Sequence, residues 1–324
     1  MNILVTGSEG FVGSKLQVEL LHLGHEVFLT DRLDKKKKNY FRFDLVQDSV
    51  KNFINNYKNL KLDLVIHLAA AKGDFMLSED DFYRDNVLAT EALSNILEEL
   101  NLLNIIHYST VSVYGHNNSL KDETAELKPN NVYGKTKLAS EEILIKWQKG
   151  KTNRNLTILR PSVIYGEENF ANMYNLLSLL DKKFPVTIGN GNYVKSMIAV
   201  ENLIDITIFV SKKMKDIQIY NCTDEPYPTL RECMKYISEI DGFKTPLIKL
   251  PISLALILAK PIEVISFLIR KDLKVTRERI YKYSMATDYR SELIRSIGYK
   301  QRFSTKERLQ NMARWYKKQN KLNP

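Results

Sequence analysis

Two apolar patterns alternate along roughly the first half of the chain. Short runs dense in aliphatic and β-branched residues, at Asn2–Thr6, Glu26–Thr30, Asp63–Leu68, Ile105–Ser109 and Leu156–Arg160, read as strands. Between them, Phe11–Leu23, Val46–Tyr57, Asp80–Leu100 and Val132–Lys149 carry apolar residues at helical spacing. A strand that is apolar at consecutive positions is buried on both faces, and the intervening helices supply the cover. The pattern therefore predicts an α/β fold built on a doubly wound parallel sheet.

After Pro161 the rhythm loosens. A short strand at Gln218–Asn221 and helical patterns near 201–213, 229–240 and 304–318 predict a smaller α/β lobe without its own βαβ series. The expected division is 1–166 for the first domain and 167–324 mainly for the lobe, with 201–221 returning to the first sheet.

Composition narrows the class. With 324 residues, 44% hydrophobic and 27% charged, the chain is neither disordered, nor collagen-like, nor a disulfide-stapled miniprotein. Lys+Arg 48 against Asp+Glu 38 gives +10, a balance that favours anionic ligands. The basic residues are scattered apart from Lys35–Lys38, which reads as a solvated loop, so nucleic-acid binding is not expected. Cys222 and Cys233 read as reduced thiols. Ile3-Leu4-Val5 already reads as strand, so we expect no signal peptide and a cytoplasmic protein. His22, His25, His67, His107 and His116 form no cluster at zinc-like spacing, and no metal site is expected.

The most apolar stretch, Leu250–Ile269, is interrupted by Lys260, Pro261 and Glu263 and falls short of the ~20 apolar residues a bilayer span needs. It reads as amphipathic helices covering the lobe. The alternative is a membrane-surface patch, with Lys249, Lys260, Arg270 and Lys271 near lipid head groups.

The first strand–helix junction carries chemistry. In Thr6-Gly7-Ser8-Glu9-Gly10-Phe11-Val12-Gly13, Gly7 suits a tight turn, Gly10 a close backbone approach to a pyrophosphate, and Gly13 close helix–sheet packing. The helix that starts at Phe11 and Val12 offers free N–H groups and a positive dipole end to phosphates. Asp31, ending the next strand, is placed to accept hydrogen bonds from a ribose diol. This is the signature of a Rossmann-type dinucleotide-binding domain. Asp31 would repel a 2′-phosphate and favours NAD, whereas Arg32 and the lysine run keep NADP open. Asp44-Leu45 and His67-Leu68-Ala69-Ala70-Ala71 fit the adenine and ribose pocket, with His67 ordering its loop.

A second constellation lies further on. Tyr133 and Lys137 are four residues apart at the start of a predicted helix, so they share a face. A free phenol is a poor base near neutrality, with a pKa of ~10. A neighbouring ammonium stabilises the phenolate and lowers that value, making Tyr133 a candidate general base. Ser109 and Thr110 end a strand expected at the sheet centre. If extended backbone continues, they face opposite ways while Thr110 and Ser112 share a face, and one hydroxyl could bond a reacting oxygen.

Together these segments, with Asn86-Val87, Thr90 and Arg160-Pro161-Ser162-Val163-Ile164-Tyr165-Gly166, resemble the extended short-chain dehydrogenases/reductases, in the group of NAD-dependent nucleotide-sugar epimerases and dehydratases. The resemblance covers about the first half. It implies a catalytic triad of Tyr133 as base, Lys137 as its partner and Thr110 as the hydroxyl. It also implies cofactor contacts from Asn86, Ser109, Pro161 and Ser162. Dehydratases of this family carry an acidic pair just after the triad hydroxyl; Val111 and Ser112 stand there and argue against 4,6-dehydration.

In the lobe the resemblance is weaker. Lys195 stands where the family often has an arginine on the substrate diphosphate, and the later arginine-proline-glycine-aspartate element is absent. A lysine is a point charge that cannot make the bidentate fork. Arg277, Arg279 and Lys282 read first as a solvated helix face and otherwise as replacements, Asn169, Asn172 and Asn175 as substrate contacts or surface residues, and Asp288 to Tyr299 as a structural closing segment. A homodimer through first-domain helices follows from the resemblance alone. The expected activity is NAD-dependent epimerisation of a nucleotide-linked hexose at C4 through a 4-keto intermediate. The alternatives are an NAD(P)H-dependent reductase of a keto sugar or other carbonyl, and a non-catalytic dinucleotide-binding protein.

Overall fold

The computed structural model describes residues 1–71, 77–115, 119–182, 185–246, 248–269, 276–277, 280 and 284–322. Its centre is a seven-stranded sheet of parallel neighbours in the order β3-β2-β1-β4-β5-β6-β10. The strands are β1 (Asn2–Thr6), β2 (Glu26–Asp31), β3 (Tyr40–Arg42), β4 (Leu64–His67), β5 (Asn104–Tyr108), β6 (Asn155–Pro161) and β10 (Ile217–Cys222). The order reverses between β1 and β4, and such a switch point opens a crevice at the carboxyl ends of the strands.

Alternate residues of each strand bury on opposite faces. Ile3 and Val5 pack beneath α1 (Phe11–His22) and α7 (Val200–Ser211), with Leu16, Leu20, Val200 and Leu203. Leu4 packs on the other face, which α2 (Val50–Tyr57), α4 (Ala89–Glu99) and α5 (Val132–Lys149) cover with Phe53, Leu93, Ile96 and Leu144. Each such aliphatic side chain contributes ~1.5–3 kcal/mol of burial.

Three local departures from the sequence pattern bear on the site. Helix α2 starts at Val50 because the Asp44 carboxylate accepts from the Val46 and Gln47 amides at 2.9 and 3.1 Å, a turn that competes with helix. The 80–100 pattern forms α3 (Glu79–Phe82), one π-helical stretch at Tyr83–Leu88, and α4. Strand β5 ends at Tyr108 and lies beside the central β4.

The second half builds a smaller core from β7 (Val163–Tyr165), β9 (Met197–Ala199), α6 (Asn172–Leu180) and α8 (Leu230–Ser238), with Tyr165, Leu177, Met197, Leu230 and Cys233 buried. A second ribbon pairs β8 (Val186–Ile188) with β11 (Ile248–Leu250) and leads into α9 (Ile252–Ile269). After α10 (Glu292–Ser296), α11 (Thr305–Leu322) closes the lobe with Leu309 and Met312. Between these segments α7 and β10 belong to the first core, as do Ile294 and Tyr299.

Candidate active site

The glycine loop is shaped by close backbone contacts. Gly7 has φ +69°, and a Cβ there would lie 2.5 Å from the Ala69 amide nitrogen. A Cβ on Gly13 would meet the Gly7 carbonyl at 2.4 Å, so this glycine sets how tightly α1 seats on the loop. At Gly10 the nearest obstacle would be the Gly7 oxygen at 3.2 Å, which leaves its outward side open. No side chain caps α1 and its first turn holds no acid. The first-turn amides of a helix have no partners inside it, so Phe11, Val12 and Gly13 present N–H groups there.

A cleft of about 300 Å³ runs from this loop across the strand ends, at the low end for a ligand pocket and suited to half of a dinucleotide. It is lined by Gly7, Gly10, Asp31, Arg32, Asp44, Leu45, Leu68, Ala69 and Ala70, joining nine of the residues singled out in the sequence. Asp31 accepts from the Glu9 amide at 3.0 Å and the Leu33 amide at 3.2 Å, which fixes its carboxylate at the end of β2. Arg32 pairs with Asp85 at 3.1 Å, and Lys37 pairs with Glu9 at 2.7 Å. Both cations are thus neutralised at the rim where a 2′-phosphate would need them. The open Gly10 cradle, the uncapped helix end and the fixed Asp31 fit NAD: the loop would hold its pyrophosphate and Asp31 its ribose.

Asn86 lies in the π-helical stretch and works behind the cleft. Its Oδ1 accepts from the Ala71 amide at 2.9 Å and its Nδ2 donates to Thr136 at 2.9 Å, tying the loop after β4 to α5. His67 sits beneath that loop, 2.7 Å from Thr6 Oγ1; burial and the Lys137 charge push it down to about 3, so it is neutral. His107 stacks on it at 5.3 Å and is driven well down by the same two causes.

Thr110, Tyr133 and Lys137 converge at the carboxyl end of β5. Thr110 is the N-cap of a 3-10 turn at Val111–Tyr114, and its hydroxyl accepts from the Ser112 amide at 3.2 Å. That contact occupies a lone pair and leaves the Thr110 proton free for its hydrogen bond to the Tyr133 phenol. Because the strand has already ended, Thr110 and Ser112 do not share a strand face, and the shared-face expectation is corrected. The Tyr133 ring also packs 6.2 Å from Phe82.

Burial raises the Tyr133 phenol above its ordinary value, and the bond to Thr110 works the other way. The expected lowering of Tyr133 by Lys137 is not found: burial raises the phenol, and Thr110 is the group that works against it. Lys137 is itself pushed down to about 8 by burial, while the Glu141 carboxylate acts to hold it up. Lys137 thus titrates within reach of neutral pH, whereas the buried Tyr133 phenol is pushed away from it, beside the Thr110 hydroxyl.

Glu141 belongs to a network that pattern reading missed. Its carboxylate accepts from the Ser109 hydroxyl and from Arg160, whose Nε donates at 2.9 Å. Arg160 Nη1 donates to the Tyr114 hydroxyl at 2.8 Å, and Tyr114 donates to Asn221 Oδ1 at 2.9 Å. Ser109 thus faces away from Thr110, into the protein. Pro161 ends β6 and Ser162 follows it, its hydroxyl donating to the Cys222 carbonyl at 3.2 Å.

The lobe residues singled out in the sequence are not gathered in the same way. Asn169 spends its amide on its own loop, donating to the Ile164 carbonyl at 3.0 Å and accepting from Ala171 at 3.0 Å. Lys195 donates to the Met285 carbonyl at 2.6 Å, and burial lowers it to about 8. Arg279 and Lys282 lie outside the described residues. Arg277 pairs with Glu263 at 2.8 Å.

A dinucleotide cleft and a Tyr/Lys/Thr constellation, both at the carboxyl ends of the strands of one parallel sheet, define an NAD-dependent enzyme of the short-chain dehydrogenase/reductase type. The chain belongs to the NAD dependent epimerase/dehydratase family, whose sequence model matches residues 3–223. It is 30% identical over 304 residues, 92% of its length, to an Escherichia coli O157:H7 protein named N-acetyl-alpha-D-glucosaminyl-diphospho-ditrans,octacis-undecaprenol 4-epimerase, 90% of which is covered. It is 25% identical over 288 residues to the UDP-glucose 4-epimerase of Bacillus subtilis, covering 76% of this chain and 84% of that one. Among solved structures, the UDP-glucuronic acid 4-epimerase of Bacillus cereus in complex with NAD superposes with TM-score 0.76 at 20% identity, over 98% of this chain and 99% of that one. This last likeness speaks for the fold.

Proposed function

We propose that the protein inverts C4 of a diphosphate-linked hexose through a 4-keto intermediate, with a nucleotide sugar as its substrate class. The observation that carries this reading is the Thr110–Tyr133–Lys137 set beside a cleft that fits NAD, in a chain with Val111 and Ser112 where a dehydratase would need acids.

Bound NAD supplies the hydride acceptor and, once reduced, the donor. The chain's own residues manage the proton and the oxygen. Tyr133 takes the proton of the C4 hydroxyl as that carbon is oxidised, then returns it to the same oxygen when C4 is reduced from its other face. Thr110 donates a hydrogen bond to Tyr133 and reaches the same oxygen. Lys137 would stabilise the phenolate in the reacting complex, against the upward push of burial. Because cofactor and proton are both restored, no external reductant is consumed.

The test is NMR of the purified enzyme with UDP-hexoses in heavy water and no added cofactor. Formation of the C4 epimer with protium retained at C4 is expected. Turnover only on addition of NADH or NADPH would replace this reading with the reductase.

A second carrier is favoured by a specific pair of observations. The relative that matches nearly the whole chain is named for a sugar on undecaprenyl diphosphate, and Lys195 here is committed to a backbone carbonyl rather than forming an arginine-like fork. A hexose on a lipid diphosphate presents the same sugar and the same C4 chemistry.

A further inference from the structure

Helix α9 packs the wrong way round for a helix in water. Its buried positions are Ala255, Ala259 and Ser266, all small, and the two alanines are set against Ile280, Ile188 and Leu250. Its large aliphatic residues point outward, with Ile257 67% and Leu268 70% exposed and Leu254, Val264 and Ile265 close to half exposed. At 100° per residue these five fall on one side, opposite the alanines. An ordinary surface helix turns such residues to the core and shows polar ones to solvent.

We infer that α9 lies in the interfacial plane of an anionic lipid bilayer, with Leu254, Ile257, Val264, Ile265 and Leu268 turned to the acyl chains. Four features select a bilayer as the occupant. The described exposed large apolar side chains of α9 are all Ile, Leu or Val, whereas protein interfaces favour aromatic residues, Met and Arg. The only acid on the helix, Glu263, is neutralised by Arg277, which donates to it from its backbone at 2.6 Å and its side chain at 2.8 Å. Lys260, at the margin of the apolar face, and Lys249 just before it are exposed and suit anionic head groups, as does the +10 net charge. Eighteen residues rise about 27 Å, short of a span, and Pro261 interrupts the middle. Among the described residues no helix is long and apolar enough to cross a membrane.

The face belongs to the lobe, through β11 and its pairing with β8. Docking therefore brings the substrate lobe, rather than the nucleotide cleft, to the lipid surface. That consequence rests on the epimerase reading and matches the lipid-diphosphate carrier; the docking itself does not depend on turnover.

The test is flotation of the full-length protein with vesicles of equal parts phosphatidylcholine and phosphatidylglycerol, and with phosphatidylcholine alone. Wild type is expected to float with the anionic vesicles and to be released by high salt. Ile257→Glu combined with Leu268→Glu is expected to lower the floated fraction roughly tenfold or more, with bound NAD and melting temperature unchanged. Wild type that stays at the bottom, or a double variant that floats equally well, overturns the inference. Lack of flotation together with a dimer that the double variant dissolves would overturn it in favour of a second copy. C4 epimerisation of soluble UDP-hexoses, measured on the same two proteins, reports separately on the catalytic reading.

Discussion

Lys137 and Glu141 occupy successive turns of α5, 2% and 1% exposed, so the ammonium beside the candidate base is held in the protein with a carboxylate at its back. Burial brings Lys137 to about 8, well under its unfolded value of 10.5, and Glu141 opposes that fall. Lys137 is therefore charged below about pH 8 and loses its charge above it. Glu141→Gln removes the group that holds the value up and leaves the Arg160 charge uncompensated nearby. The high-pH limb of kcat/KM is expected to move to lower pH, measured as a full pH profile. A role confined to packing would lower the melting temperature and leave the limb in place. The variant also loses a buried ion pair, at a cost of about 3 kcal/mol.

Tyr133→Phe keeps the ring against Phe82 and removes only the hydroxyl that meets Thr110. Turnover is expected to fall by about three orders of magnitude, the middle of the range for general acid–base catalysis. NAD released by heating should remain stoichiometric, since the cleft is lined elsewhere. Near-wild-type turnover would remove Tyr133 from the mechanism.

Gly7→Ala should be severe because two penalties coincide. The left-handed backbone costs a residue with a Cβ about 1–2 kcal/mol, and the new methyl would press on the Ala69 amide at 2.5 Å. A loss of about 2–4 kcal/mol in stability and of bound NAD is expected by thermal unfolding and mass spectrometry. Retention of both would mean that the loop relaxes away from β4.

Cofactor choice should follow charge at the end of β2. Asp31→Ser removes the carboxylate, and Asp85→Asn frees Arg32 from its 3.1 Å partner. The double variant is expected to shift the NADP:NAD affinity ratio toward NADP by roughly tenfold or more, since a phosphate would gain a cation and lose a repelling charge. An unchanged ratio in titration calorimetry would show that the selectivity lies elsewhere in the cleft.

Much of this site is legible in the sequence because its parts are local. Gly7, Gly10 and Gly13 act through spacing within one junction, and Tyr133 with Lys137 through one helical turn. The strands of the first half lie close to where the hydrophobic runs put them, since a strand buried on both faces leaves little ambiguity. Glu141 was half legible, being one more turn along the same face, but its meaning comes from Arg160, Tyr114 and Asn221, which only the fold assembles. The shared face expected of Thr110 and Ser112 fails because the chain leaves the strand at Tyr108, and no apolar pattern marks that exit. The outward face of α9 was hidden for a different reason. A helix apolar on most sides does not say which side the protein will cover.

The chain's route through its two cores limits how this architecture can be reassigned by recombination. It leaves the sheet after β6, comes back for α7 and β10, departs again through α8 to α9, and returns with Ile294 and Tyr299 before ending in α11. A single crossover between relatives would give each hybrid half of one core and half of the other, with apolar faces matched to absent neighbours. Grafting a new substrate preference onto this sheet thus demands several simultaneous junctions, or point changes within the lobe. Divergence by accumulated substitution is the easier path for such a molecule, since the hydrophobic contacts themselves penalise wholesale exchange.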